Sequence, residues 1–418
     1  MLIRYLAPSL VLSLTLLPRS SNAKPLPDFY DESATRLPPS LNPPDTDTLD
    51  VELVDVDGDG DLDLFVVEGT ASPAPRPNFL YINDGTGVFS DQSLLRLPAG
   101  APANSSEVDA SDVDGDGDID LYLGNLGPNR LLLNDGNGFF SDASATHLPP
   151  APQNFLLDIT AEAVFADVDG DGDDDLLLSN ENPFNPDPMG GAQNLVLIND
   201  GTGHFVDDSA TRVPARTDQT AGQVPGDIDG DGDLDVMVIN IGANAVLIND
   251  GTGHFTDQTA TRMAGGLPLS SRKGAVGDID GDGCLDLVVA NSRAQANELW
   301  LNDCTGVFTD DSARMPTNAN TSTDVDLVDL DGDGDLDVFF TNAGTFLFGH
   351  GFLGEGNVVY RNDQPANKLK DKTHQSFPAV SNPSTNAEFG DVDGDGDVDL
   401  VVGNSTESNG AERLWIND

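Results

Sequence analysis

The acidic residues of this chain recur in one phrase, Asp-x-Asp-Gly-Asp-Gly-x-x-Asp, which occurs seven times. In the first copy, residues 55–63, the acidic positions are Asp55, Asp57, Asp59, Asp61 and Asp63. The next three copies carry Asp112, Asp114, Asp116, Asp118 and Asp120; Asp167, Asp169, Asp171, Asp173 and Asp175; and Asp227, Asp229, Asp231, Asp233 and Asp235. The fifth, residues 278–286, has Asp278, Asp280, Asp282 and Asp286, with Cys284 at position 7. The last two carry Asp329, Asp331, Asp333, Asp335 and Asp337, then Asp391, Asp393, Asp395, Asp397 and Asp399. Carboxylates at positions 1, 3, 5 and 9 of such a loop converge on a hard cation. Glycine at position 6 permits the sharp turn, and the position 7 carbonyl supplies a further oxygen. An oxygen-only set of this size is Ca2+ chemistry. Uncompensated, the carboxylates would repel one another.

The repeat positions of these loops hold 34 of the 72 acidic residues, and the formal net charge is −53. Seven bound Ca2+ ions would bring it to −39. The surface stays anionic, and the 19 basic residues form no extended basic run. Nucleic acid and anionic membranes are therefore excluded as partners, since both need basic patches.

The loops begin 57, 55, 60, 51, 51 and 62 residues apart, a repeat-array period. Each repeat parses into four short strands. The first precedes the loop, as at 161–166, and the second follows it, as at 176–179. The third, as at 195–198, leads through Asn-Asp-Gly-Thr-Gly to a fourth around Phe205. Asn-Asp-Gly between apolar runs is a hairpin signal. No helical period is evident, so the expectation is an all-β propeller with four strands per blade. The chain stops after the third strand of its last repeat, at Leu414-Trp415-Ile416-Asn417-Asp418. Residues 28–38 match the fourth-strand segment 205–214. The N-terminal segment is thus expected to supply the missing strand of the last blade and close a seven-bladed ring, as velcro closure, removing an open edge.

On these motifs the chain resembles the FG-GAP/VCBS repeat family, which includes the integrin α-subunit propeller. The resemblance covers essentially all of residues 24–418. It implies a seven-bladed propeller with a Ca2+ loop between the first two strands of a blade. It also implies that positions 1, 3, 5 and 9 are side-chain ligands, with position 7 (Cys284 included) binding through its carbonyl. Asp174, an extra carboxylate at position 8 of the third loop, is a departure from the pattern.

Arg4, the apolar stretch 6–17 and Ser21-Asn22-Ala23 read as a signal peptide over residues 1–23, giving a secreted or periplasmic protein without stable membrane insertion. The two cysteines, Cys284 and Cys304, both lie in the fifth repeat. The hairpin between its second and third strands places them opposite each other, and a secreted setting permits their disulfide. Asn125, Asn180, Asn240, Asn291, Asn342 and Asn404 recur after the second strand and read as turn-bonding residues. No nucleophile elbow, phosphate loop or zinc motif is present.

Departures from the repeat collect in the connections between second and third strands, on the face opposite the Ca2+ loops. There Phe184, Met189, Phe346, Phe348 and Phe352, with His350 and Glu355, could form a surface for a glycan or protein ligand. Three functions stay open: a binding or adhesion module, a polysaccharide lyase-like enzyme on a Ca2+ propeller, and a structural scaffold.

Overall fold

The computed structural model describes residues 26–38, 47–69, 77–99, 105–150, 160–180, 192–266, 269–317, 320–347, 351–353, 355–363, 368–376, 383–404 and 412–417. The signal-peptide expectation, and Phe184, Met189, Phe348 and His350, lie outside them. Among the described residues no helix is long and apolar enough to cross a membrane.

The fold is all-β, built from repeated four-stranded antiparallel sheets. In the first sheet, Asp47–Val54 pairs with Asp63–Gly69, which pairs with Phe79–Asn83, which pairs with Phe89–Asp91. The same order recurs through Thr160–Ala166, Asp175–Asn180, Leu195–Asn199 and Phe205–Asp207. In the last sheet, Ser384–Gly390, Asp399–Asn404 and Arg413–Asn417 are joined by the N-terminal strand Phe29–Asp31, with Phe29 opposite Asn417.

The middle of each second strand is an apolar run because both its faces are covered. Leu64 and Val66 pack with Val401, Leu414 and Ile416 of the last sheet. Phe65 and Val67, pointing the other way, pack with Val108, Leu121 and Leu132 of the following sheet. Period-2 alternation thus divides one strand between two neighbours. The first strands also pack side by side: Asp47–Val54 on Ser105–Ser111, then onward through Thr160–Ala166, Thr220–Gly226, Leu269–Gly277, Ser322–Val328 and Ser384–Gly390, which packs on Asp47–Val54.

The repeat holds one element beyond its four strands. The fourth strands are only two or three residues long, and a helical turn follows each. Ser33–Arg36, Ser93–Arg96, Ser144–His147, Ser209–Arg212 and Thr259–Arg262 are such turns. An Asp before the turn starts it: Asp91 Oδ1 accepts from Ser93 N at 3.0 Å and from Ser93 Oγ at 2.6 Å. This local side-chain bonding ends the strand.

Candidate metal centre

Each Asp-rich loop hangs between a first and a second strand and is shaped by its own position 1 carboxylate. Asp55 Oδ1 accepts from Gly58 N at 2.8 Å, and Oδ2 from Gly60 N at 2.9 Å. Asp167, Asp227, Asp278 and Asp391 do the same for their loops. Gly58 and Gly60 have φ of 74° and 95°, which is why both positions are glycine.

Position 9 anchors the loop to the sheet. Asp63 Oδ2 accepts from Val56 N at 3.1 Å, and Oδ1 from Asn83 N at 2.8 Å. Asn83 also donates from Nδ2 to Val392 O, in the loop of the last sheet, at 2.7 Å. Asn134, Asn199, Asn249, Asn302 and Asn362 reach the preceding loop in the same way, at 2.7–2.8 Å. The Asn of Asn-Asp-Gly is therefore an inter-sheet tie, a role its turn motif does not reveal. Burial pushes the carboxyls of Asp63, Asp120, Asp175, Asp235, Asp286 and Asp399 up to about 7 and that of Asp337 to about 8, against the opposing amide hydrogen bonds. A cation in the loop would favour the charged form instead.

Position 3 carries the feature most specific to a ligand site. Asp57 Oδ2 takes a hydrogen bond from Arg96 Nη1 at 3.0 Å, while Asp57 Oδ1 is buried without a hydrogen-bond partner. The same orphaned Oδ1 occurs on Asp114, Asp169, Asp229, Asp280 and Asp393. Carboxylate oxygens of Asp55, Asp57 and Asp63 come within 4.8 Å of one another, as do those of Asp112, Asp114 and Asp120, and of Asp167, Asp169 and Asp175. A buried oxygen without a donor is costly. Gathered with two further carboxylates, it fits a hard cation with oxygen ligands.

The arginines belong to the helical turns. Arg36, Arg212 and Arg262 reach Asp393, Asp169 and Asp229 at 2.8–3.2 Å, and Arg314 lies 4.0 Å from Asp280. In the sixth repeat Ser376 ends the turn, and Arg361 of the third strand reaches Asp331 at 2.5 Å instead. In the second repeat His147 takes the arginine's place and stacks on His204, ring centroids 4.0 Å apart. The recurring Thr-Arg at 35–36, 211–212 and 261–262 was the available sequence signal.

Position 7 points elsewhere. The Asp61 carboxylate fills the space that a Cβ on Gly85 would need, and Asp118, Asp173 and Asp233 stand in the same way against Gly136, Gly201 and Gly251. In the fifth repeat Cys284 and Cys304 take these two places and form a disulfide, with Cα atoms 5.3 Å apart. Their sulfurs are thereby no metal ligands. Asp174 turns from its loop, accepting from Ser111 Oγ at 2.5 Å.

The turn-bonding asparagines sit as expected. Asn125, Asn180, Asn291 and Asn342 end second strands, Asn240 lies two residues before the end of its own, and all five donate from Nδ2 to a nearby carbonyl at 2.7–2.8 Å. On that face Phe346 pairs with Phe352 across a two-stranded hairpin. Glu355 Oε2 accepts from Thr321 N at 2.9 Å, a bond within the fold.

A profile of FG-GAP-like repeats matches residues 55–123, 112–178, 167–238, 227–289 and 278–340, and an FG-GAP repeat profile matches 385–416. No curated protein sequence matches the chain. Among solved structures, BBS1N in complex with ARL6DN is 13% identical, with a TM-score of 0.54, over 96% of this chain and 98% of that chain. The extracellular domain of BT4673 from B. thetaiotaomicron, named as a hybrid two-component system, is 12% identical with a TM-score of 0.51, over 93% and 39%. An Agrocybe aegerita lectin described as specifically recognising non-reducing terminal N-acetylglucosamine is 20% identical with a TM-score of 0.49, over 79% and 82%. Identities this low speak to fold alone.

Proposed function

The chain belongs to the FG-GAP repeat family, and on that premise we propose that it is a secreted, calcium-stabilised, seven-bladed β-propeller acting as a binding or adhesion module for glycans or proteins. The observation that carries the calcium reading is the orphaned, buried Oδ1 at position 3, repeated in six loops beside converging carboxylates. Side chains at positions 1, 3, 5 and 9 would hold the ion. Position 7 would add its main-chain carbonyl, since its side chain faces the neighbouring turn.

Ring closure is supported by two contacts. Phe29–Asp31 pairs with Arg413–Asn417, and Val51 packs with Val401 and Leu414. Residues 1–23 are read as the signal peptide and 24–418 as the propeller. The Cys284–Cys304 disulfide fits an oxidising compartment. The loops share one geometry, whereas the opposite connections vary in length and composition. Loops of the second kind usually carry binding. On this reading the ligand surface lies there, around Phe184 and Met189 in one connection and the Phe346–Phe352 hairpin in another.

The test is a glycan array and an extracellular-protein panel, probed with calcium-loaded mature protein. Retention of one ligand class, lost on replacing Phe346 and Phe352 by Ser with melting unchanged, is the expected outcome. Cleavage of anionic polysaccharide would move the chain to the lyase class. No retention and no cleavage would leave a scaffold.

A further inference from the structure

Each first strand contains a register shift near its start, and the residue just after it holds the same position in every sheet. Glu162 opposite Ser179, Lys273 opposite Ala290 and Asn386 opposite Gly403 illustrate the register. Asp50, Glu107 and Asp324 hold that position in their strands, and Gly222 does so where no side chain is offered. The tier thus combines four carboxylates, one amide and one lysine.

Side chains of this tier meet across strands that are not neighbours. Lys273 Nζ lies 2.5 Å from Glu162 Oε1 and 3.7 Å from Glu107 Oε2, although Thr220–Gly226 and Ser322–Val328 flank its strand. Burial opposes its charge, but Glu107, Glu162, Asp324 and Asp50 outweigh burial and raise its pKa. The first strands therefore converge on one point, and one ammonium faces four carboxylates there.

Three of those carboxylates have a second task. Asp50 Oδ2, Glu162 Oε2 and Asp324 Oδ2 accept Val108 N, Gln223 N and Ala387 N of the following sheet at 3.0, 2.6 and 3.3 Å. Asn386 departs from this pattern. It is 2% exposed, and neither Oδ1 nor Nδ2 has a hydrogen-bond partner. Its strand is flanked by the strands of Asp324 and Asp50. Two residues further along each strand stand Glu388, Asp326 and Glu52, which add charge of the same sign. A buried amide without partners, on a strand flanked by two that carry carboxylates in the same tier, offers with them the oxygen donors a hard cation takes.

We propose that this convergence point is a cation site separate from the Asp-rich loops, holding one hard divalent ion between Asp324, Asn386 and Asp50. Its ligands come from three sheets, so the ion ties the first strands together at their centre. Lys273 neutralises the Glu107 and Glu162 side, which directs the ion to the other. The site shares no ligand with the loops, so either can fail alone.

The test uses samarium ions and the full mature chain. Anomalous diffraction is expected to place an ion against Asn386 Oδ1 and the carboxylates of Asp50 and Asp324. In solution, equilibrium dialysis with terbium should show Asn386→Leu losing one ion per chain, while Asn386→Asp keeps the full count. Asp57→Asn should lose a different ion, and the two losses should add. Samarium in the loops with none at the convergence point overturns this proposal and leaves the loop reading intact. An ion at the convergence point with empty loops does the reverse. Equal ion counts in Asn386→Leu and Asn386→Asp also overturn it.

Discussion

Arg96 binds one oxygen of Asp57 and leaves the other buried without a hydrogen-bond partner. The same guanidinium donates to Asn137 O, in the turn of the next sheet, at 2.8 Å. One side chain thus orients a candidate metal ligand and links two repeats. Arg96→Met should lower unfolding free energy by about 1–3 kcal/mol, the usual cost of stripping a partly buried charge of its partner. Asp57→Asn should instead lose one bound ion. Urea unfolding and ion counting, run side by side at saturating calcium, check both. An Arg96→Met variant of unchanged stability would contradict this linking role.

The disulfide occupies a place that the repeat otherwise gives to Asp and Gly. Cys304 has φ of 64°, close to the 75–78° of Gly85, Gly136, Gly201 and Gly251 at the matching turns. The loop it closes spans 20 residues. Reduction should therefore cost about 3 kcal/mol. Restoring the repeat residues, Cys284→Asp with Cys304→Gly, should fold and lose less than Cys304→Ala, which keeps a Cβ in the left-handed region. Denaturant midpoints with and without a dithiol distinguish the cases. A reductant-insensitive wild type contradicts the stabilising role.

Glu298 supplies a pH dependence remote from the loops. Burial pushes its carboxyl up to about 7, with Asn291 hydrogen bonding opposing the shift and Asp310 adding to it. A raised folded-state value means stability that is complete at low pH and lost as pH climbs through 7. Relative to Glu298→Gln, wild type should weaken between about pH 4.5 and pH 7 and then level off. A constant gap between the two midpoints over that range would contradict it.

The N-terminal strand is expected to matter beyond its length. Glu32 N donates to Leu414 O at 3.0 Å, and Leu414 N donates to Ser33 Oγ at 2.9 Å. Arg413 pairs with Asp31. Deleting residues 28–37 strips these bonds and opens the edge of Arg413–Asn417. Aggregation or loss of secretion should follow, read by size-exclusion chromatography. A monomeric deletion variant with unchanged melting would show that nothing depends on this pairing.

The strands, the Asp-rich loops and the cysteine pair were legible because each is written in consecutive residues at a fixed period. Cys284 and Cys304 stand out because four other repeats keep Asp and Gly at this pair of positions. The helical turns were missed because four residues leave no 3.6-residue period to detect. Arg96 was missed because its partners, Asp57 and Asn137, lie in a different element and a different repeat. The tier of Lys273 and Asn386 was missed for a related reason: one residue per strand means nothing until the strands converge. Of the ligand surface, the sequence named Phe346 and Phe352, whose strands pair, and Glu355, which ties Thr321.

Calcium as the element that holds the fold is tested most directly by melting the mature protein with and without a calcium chelator. An ion held at 100 times its Kd adds about 2.7 kcal/mol per site. Seven independent sites would reach about 19 kcal/mol, comparable with the whole stability of a domain. The expected result is a melting temperature lowered by tens of degrees on chelation and restored by added calcium. A shift of a few degrees or less would contradict the structural role assigned to these loops.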